Sequence, residues 1–286
     1  MGKTDGDENE FWVEPLAGLG NRMQVLASAY HLAQKYQKKL IVLWNNNSDL
    51  AADFEDIFEP VLGAKVIPVT TDGYRTKPFL RMKSELLREK LSSKCSFVTE
   101  VDRWDDMSCE EICRMVDEGC RNAGDIYLKS WKPFTPVYED SKITLDFLKP
   151  SEKVCQRGKE LFDRIGADTV GVHIRRTDHA EAIAESPIAA FFEEMQKESE
   201  RDRTLSFFVA TDDSKVEREI VQRFGDRVFF KDHKSWGRDQ ADGILDACVD
   251  LWALSKCSKI LGSKGSTFGM IAAKLGSKEL KIVTKQ

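Results

Sequence analysis

From Thr169 to Val283 short apolar runs alternate with amphipathic segments of helical period, and this alternation constrains the chain more than any other feature. The runs at Thr169–Ile174, Leu205–Ala210, Arg227–Phe230, Lys259–Gly262 and Leu280–Val283 read as strands. The segments at Pro150–Ile165, Ile188–Glu198, Ser214–Phe224, Asp239–Lys256 and Ser266–Leu275 read as helices. Strands separated by helices of this length join through crossovers into a parallel sheet covered on both faces. The expected fold class is therefore α/β, with a doubly wound second half.

The first half repeats the pattern less legibly. Phe11–Leu16 is a short apolar run that ends in Ala17-Gly-Leu-Gly20, and an amphipathic segment runs from Asn21 to about Tyr36: strand, glycine turn, helix. Further strands are expected at Lys39–Trp44, Ala64–Val69, Phe97–Val101 and Asp125–Lys129, with helical patches at Arg81–Leu91 and Cys109–Cys120. Two prolines in Trp131-Lys-Pro-Phe-Thr-Pro136 break the pattern. The expected domains are residues 1–140, on the acceptor side, and 141–286, for donor binding.

Composition narrows the partners. The 286 residues are 41% hydrophobic, enough for a sizeable core, and 43 basic against 48 acidic side chains give a net charge of −5. No global basic field exists to hold a nucleic acid, so an anionic ligand must meet a local cationic site. The longest apolar runs fall far short of the ~20 residues that cross a bilayer, so no membrane partner is expected. The first ten residues are acidic and unlike a signal peptide. Seven cysteines, an odd number without a CxxC pair, point to reduced thiols and a cytoplasmic protein. If a leader or anchor precedes this chain, the expectation becomes luminal. Cys109, Cys113 and Cys120 have no nearby His to complete a zinc set and read as buried small side chains.

Ligands of parallel sheets bind beyond the carboxyl ends of the strands, so polar residues there are the candidates. Four clusters qualify. Gly18, Gly20, Asn21 and Arg22 form a turn into a helix that either approaches an anion or sugar closely or is only a tight turn. His173 lies near the end of a strand that runs into Arg175, Arg176, Thr177 and Asp178, where a guanidinium forks onto phosphate oxygens, unless Asp178 merely pairs with an arginine. Asp212 and Asp213 follow the next strand. One caps the helix, and the other accepts from a purine N–H edge or holds an arginine. Asp246 and Asp250 share a helix face, and Lys264, Ser266 and Thr267 open the last helix, where Ser266 receives phosphate or is only an N-cap. No GxxxxGK[ST] run is present, which disfavours a P-loop enzyme.

Gly18-Leu-Gly-Asn-Arg22, His173-Ile-Arg-Arg-Thr-Asp178, Ala210-Thr-Asp-Asp213 and Asp250…Ser255…Ser266-Thr-Phe268 together resemble the ordered motifs of the α1,6-, α1,2- and protein-O-fucosyltransferase superfamily. The HxRRTD core looks closest to the nodulation and N-glycan core α1,6-fucosyltransferases, and the Gly-Ser-Thr-Phe-Gly run is similar to plant cell-wall enzymes. The resemblance implies a GT-B-like fold of two Rossmann-type domains, GDP-fucose as donor, a glycan or protein hydroxyl as acceptor, inversion at the anomeric carbon and no metal. It implies that Arg175 contacts the β-phosphate, that Arg176 shapes that pocket, that His173, Asp212 and Asp213 surround GDP, and that Asp250 and Ser266 lie near the donor. His179 stands where the α1,6 enzymes carry a lysine, and Ile183 where they carry an acid.

Glu14, Asp178, His179, Glu181 and Glu185 are the candidate proton acceptors for the acceptor hydroxyl. Two alternatives to fucose transfer remain open: a catalytically inactive binder of nucleotide sugars or glycans, and a transferase for another nucleotide sugar.

Overall fold

The computed structural model describes residues 9–71, 78–104, 106–177, 180–232, 235, 237 and 239–285, with only the backbone at Glu181. Its strands are β1 (Glu10–Pro15), β2 (Lys39–Asn45), β3 (Ala64–Val69), β4 (Phe97–Glu100), β5 (Ile126–Ser130), β6 (Thr169–Ile174), β7 (Ser206–Thr211), β8 (Val228–Phe229), β9 (Ile260–Ser263) and β10 (Leu280–Val283). The helices are α1 (Leu19–Lys35), α2 (Phe54–Ile57), α3 (Pro78–Lys94), α4 (Cys109–Asn122), α5 (Glu152–Arg164), α6 (Ala180–Glu185), α7 (Ile188–Arg201), α8 (Ser214–Phe224), α9 (Ala241–Lys256) and α10 (Thr267–Gly276). None of them is long and apolar enough to cross a membrane.

The strands form two five-stranded sheets, ordered β3-β2-β1-β5-β4 and β10-β9-β6-β7-β8. Every pairing in both is parallel. The chain forms two compact units, Met1–Lys149 with Arg238–Ile244, and Pro150–Gly237 with Leu245–Gln286. In the first sheet the chain runs outward from β1 to β3, crosses to β4 at the far edge and returns to β5 beside β1. In the second it runs from β6 to β8, then starts again on the other side of β6 with β9 and β10. The order therefore reverses between β1 and β5 and between β6 and β9, and these crevices are where such sheets bind ligands.

Central strands are buried on both faces, which explains their unbroken apolar character. All six residues of β6 are buried, as are Leu40–Asn45 of β2. Gly171 in β6 is dictated by packing: a Cβ there would stand 3.0 Å from Leu254 Cδ2 and 3.2 Å from Cys257 Sγ on and just after α9. Helix starts follow local chemistry. Ser108 and Glu111 form a reciprocal capping box on α4, and Ser151 Oγ accepts from the Val154 N–H at the start of α5.

The short helices α2 and α6 lack enough turns to show a period and are absent from the sequence expectation. The two-proline segment 131–136 is a loop of the first unit, because Phe134 is fully buried and the Phe134 N–H and Thr135 Oγ1 both bond to Ser28 Oγ on α1. All seven cysteines are free thiols. The expectation of a buried trio on α4 holds for Cys120 but not for Cys109, which is exposed because the buried stripe runs through Ile112, Val116 and Cys120.

Candidate functional site

At the β6/β9 crevice, β6 delivers Arg175 and Arg176 immediately past its last residue, and the β9–α10 turn lies alongside. Arg175 Nη1 sits 2.9 Å from Asp212 Oδ2 in a pair that is mostly buried on both sides. Asp212, just beyond β7, also accepts from the Arg176 N–H at 2.7 Å and from Thr177 Oγ1 at 2.9 Å. One carboxylate thus clamps three successive residues. Asp213 caps α8, its Oδ1 accepting from the Lys215 N–H at 2.8 Å. The adjacent acids therefore divide as the sequence allowed, one to the helix and one to an arginine. Asp212's oxygens face the Arg175–Thr177 turn, and a purine edge would have to compete with those bonds.

Arg176 turns away from this clamp and donates from Nη2 to the Ser186 carbonyl at 2.6 Å. Burial lowers its pKa, against the pull of Asp212 and Asp213. The neighbouring arginines thus divide their work: Arg175 is held by a side chain, while Arg176 ties the turn to the chain after α6.

Ser263 and Ser186 belong to the same arrangement, and sequence reading missed both. Ser263 closes β9, is buried, accepts from the Arg175 N–H at 3.0 Å and donates to the His173 carbonyl at 3.3 Å. Ser186 Oγ accepts from the Lys264 N–H at 2.9 Å. A serine at the end of an apolar strand was the only available signal for the first, and nothing local marks the second. His173, nearly buried, stacks on Phe268 with ring centroids 4.9 Å apart. Ser266 occupies the N-cap position of α10 but makes no side-chain cap bond, and Thr267 is the first helical residue. The result is a cationic turn, a hydroxyl and a helix N-terminus gathered at one switch point, an arrangement suited to an anion.

Asp250 and Asp246 lie on α9, and both are buried. Asp246 accepts from Arg157 Nε at 2.5 Å, Lys231 Nζ at 2.7 Å and the Ser235 N–H at 2.6 Å. Burial raises its pKa, but these three donors outweigh burial and hold it below the usual carboxylate range.

The first unit treats its predicted residues differently. Gly18 is the N-cap of α1 with φ −76°, and the left-handed residue of the turn is Ala17, at φ 62°. Gly20 is buried within the first turn of α1, and Asn21 is half-buried beside it. Arg22 is fully buried. It donates to the Ala17 carbonyl at 2.8 Å, the Asn45 carbonyl at 2.6 Å and Asn47 Oδ1 at 2.9 Å, and its guanidinium carbon lies 4.8 Å from the Trp44 ring centroid. Burial lowers its pKa to about 10. This arginine closes loops and presents nothing to a ligand.

Glu14 is also fully buried. Arg88 grips it with two bonds, Nη2 to Oε1 at 2.6 Å and Nε to Oε2 at 2.9 Å, and Tyr127 Oη donates to Oε2 at 2.9 Å. Glu185 pairs with Lys285 at 3.0 Å and Lys264 at 3.7 Å. Asp178 and His179 lie outside the described residues, and Glu181 is on α6. Among the described residues no group of three or more His, Cys, Asp or Glu is placed to hold a metal.

Two Rossmann-type units of parallel strands, each with a switch point, define a GT-B-like α/β fold. The same fold is found in solved fucosyltransferases. A NodZ α1,6-fucosyltransferase soaked with GDP-fucose aligns over 94% of this chain and 93% of its own, with TM-score 0.60 and 20% identity. A point mutant of Arabidopsis thaliana FUT1 in complex with GDP aligns over 98% and 71%, with TM-score 0.63 and 16% identity. The apo form of POFUT1 aligns over 98% and 99%, with TM-score 0.59 and 12% identity. No protein-family model matches the sequence, and no curated protein matches it.

Proposed function

We propose that the chain is an inverting fucosyltransferase that moves fucose from GDP-fucose to a hydroxyl of a glycan or protein. The observation that carries this reading is the Arg175–Asp212 pair at the β6/β9 switch point, bonded through its backbone to Ser263 and followed across the crevice by α10. In the reaction the bond from the anomeric carbon to the β-phosphate oxygen breaks, and its electron pair leaves on GDP. The acceptor oxygen forms the new bond from the opposite face, and its proton passes to a base. Arg175, pre-set by Asp212, meets the charge that grows on the leaving diphosphate, and the N–H groups at the start of α10 add to it.

Glu14 and Glu185 spend their carboxylates on ion pairs, which leaves Asp178, His179 and Glu181 for the proton. No metal is assigned to the step. Titration calorimetry with GDP, GDP-fucose and UDP, each with and without chelator, tests the donor. Guanine-selective micromolar binding that ignores chelator is expected, and an absence of binding to all three nucleotides sinks the reading. Binding of GDP-fucose with neither transfer nor hydrolysis would leave a non-catalytic binder.

A further inference from the structure

Helix α3 is held by one face only. Ser84 Oγ accepts from the Thr70 N–H at 3.1 Å, Leu91 lies in a buried cluster with Leu43, Val69 and Tyr127, and Lys94 Nζ pairs with Asp125 Oδ2 at 2.7 Å. With Arg88 bonded to Glu14, these contacts set the rotation of the helix about its own axis. The face they leave outward carries Phe79, Met82 and Leu86, which are 65%, 51% and 56% exposed. Spacings of three and four residues place these side chains in a single stripe. Exposed apolar residues are ordinary when scattered, whereas a contiguous stripe on a fixed helix marks a surface that a partner covers.

The charges beside the stripe select the partner. Lys83 and Lys90 line one flank, next to Phe79 and Leu86, and Glu85 lines the other, next to Met82; all three are exposed. Among the described residues the two lysines have no ion pair, and Glu85 has only an exposed one to Arg81, four positions back. An anionic membrane would draw lysines on both flanks, and an acidic flank disfavours it. A second copy of α3 laid parallel answers both flanks. The two stripes then form a seam, and Glu85 of each copy reaches Lys90 of the other, the offset by which parallel coiled helices pair their flanking charges. Laid antiparallel, the same helices would set lysines against lysines and acids against acids.

We infer that the outer face of α3 is an interface between two copies of this chain, related by a twofold axis that runs along the helices and joins Phe79, Met82 and Leu86 to their counterparts. Glu89 and Ser93 take the next places of the seam, so the apolar contact ends after about two turns. A contact this short makes a reversible dimer, with Kd expected at about 10–100 μM. The inference stands on α3 alone and is independent of the donor reading.

Sedimentation equilibrium of the full chain, from about 1 to about 500 μM, tests the interface. The variants are Leu86→Asp, Glu85→Lys, Lys90→Glu and the last two combined; all three positions are exposed, so each variant is expected to fold. The expected result is a monomer–dimer equilibrium, weakened about tenfold or more by Leu86→Asp and by each single charge reversal, and recovered by the double reversal. The two single charge variants mixed in equal amounts should recover it as well, because one then offers only lysines at these places and the other only glutamates. Three results overturn the interface: a chain that stays monomeric at the highest concentration, a dimer indifferent to Leu86→Asp, or charge reversals that cost nothing or are recovered by neither the double variant nor the mixture. Binding to phosphatidylglycerol vesicles that Leu86→Asp abolishes would overturn it too, by giving the stripe to a membrane.

Discussion

Asp212 holds Arg175 across the ends of two adjacent strands: Oδ2 lies 2.9 Å from Nη1, and its other oxygen takes the N–H of Arg176. A free arginine at a sheet edge samples many rotamers, whereas this one is pre-set, and pre-setting reduces what a ligand must spend on ordering it. Asp212→Asn keeps the size and loses the charge. The expected effect is a fall of about tenfold in GDP affinity by calorimetry, together with a loss of about 1–3 kcal/mol of stability, because the same carboxylate also holds the Arg176–Thr177 turn. Arg175→Ala is expected to lower turnover about a hundredfold, as loss of other charge-stabilising donors does, with far-ultraviolet circular dichroism unchanged.

Ser263 fixes the same turn from the other strand. Ser263→Ala leaves the Arg175 N–H and the His173 carbonyl without their shared partner in a buried place, so about 1–2 kcal/mol of stability should be lost in urea unfolding. Because the turn loosens with it, GDP affinity should fall as well. A stable variant with unaltered affinity would show that the hydroxyl positions nothing.

Glu14 tests the difference between a buried carboxylate and a catalytic one. Its two oxygens face Arg88 and Tyr127, and burial of the carboxylate and of Tyr127, with Arg88 half-buried beside them, makes the loss of the charge costly. Glu14→Gln is expected to destabilise by about 3 kcal/mol. Once transfer is measurable, the acid limb of its pH–rate profile should keep its position in this variant. A shifted limb would make Glu14 the proton acceptor.

Asp246 sets a pH dependence of stability. Burial pushes its pKa up, and the bonds from Arg157, Lys231 and the Ser235 N–H bring it below the ordinary value. A depressed folded pKa means that the unfolded chain takes up the proton first as pH falls. The stabilisation is then complete above the unfolded carboxyl value of about 3.9 and is lost as pH drops through the folded one. Asp246→Asn should cost about 3 kcal/mol at pH 7, and its deficit in urea midpoint should narrow below pH 4.

Much of the fold was legible because its signals are local. The strand of Ala64–Val69, the helix of Ser214–Phe224 and the strand of Leu280–Val283 have the bounds expected from period alone. Helix α2 was not, since four residues carry no period. The strand-end clusters around Arg175 and Asp212 were legible for the same reason: a polar run after an apolar strand lies at the ligand edge of a parallel sheet.

What the sequence determined by itself is the order of strands and helices and the placing of charged residues just past the strands. It could not say which charges are spent inside the protein. Glu14 meets Arg88 across 74 residues, Asp246 meets Arg157 across 89, and Arg22 reaches Asn45 and Asn47 on a neighbouring strand and its loop. Secondary structure answers to neighbours within about four positions, so it is written locally. An ion pair answers to distance in space, which the sheet order sets, and only the folded chain distinguishes Arg175 beside a crevice from Arg22 sealed within a loop.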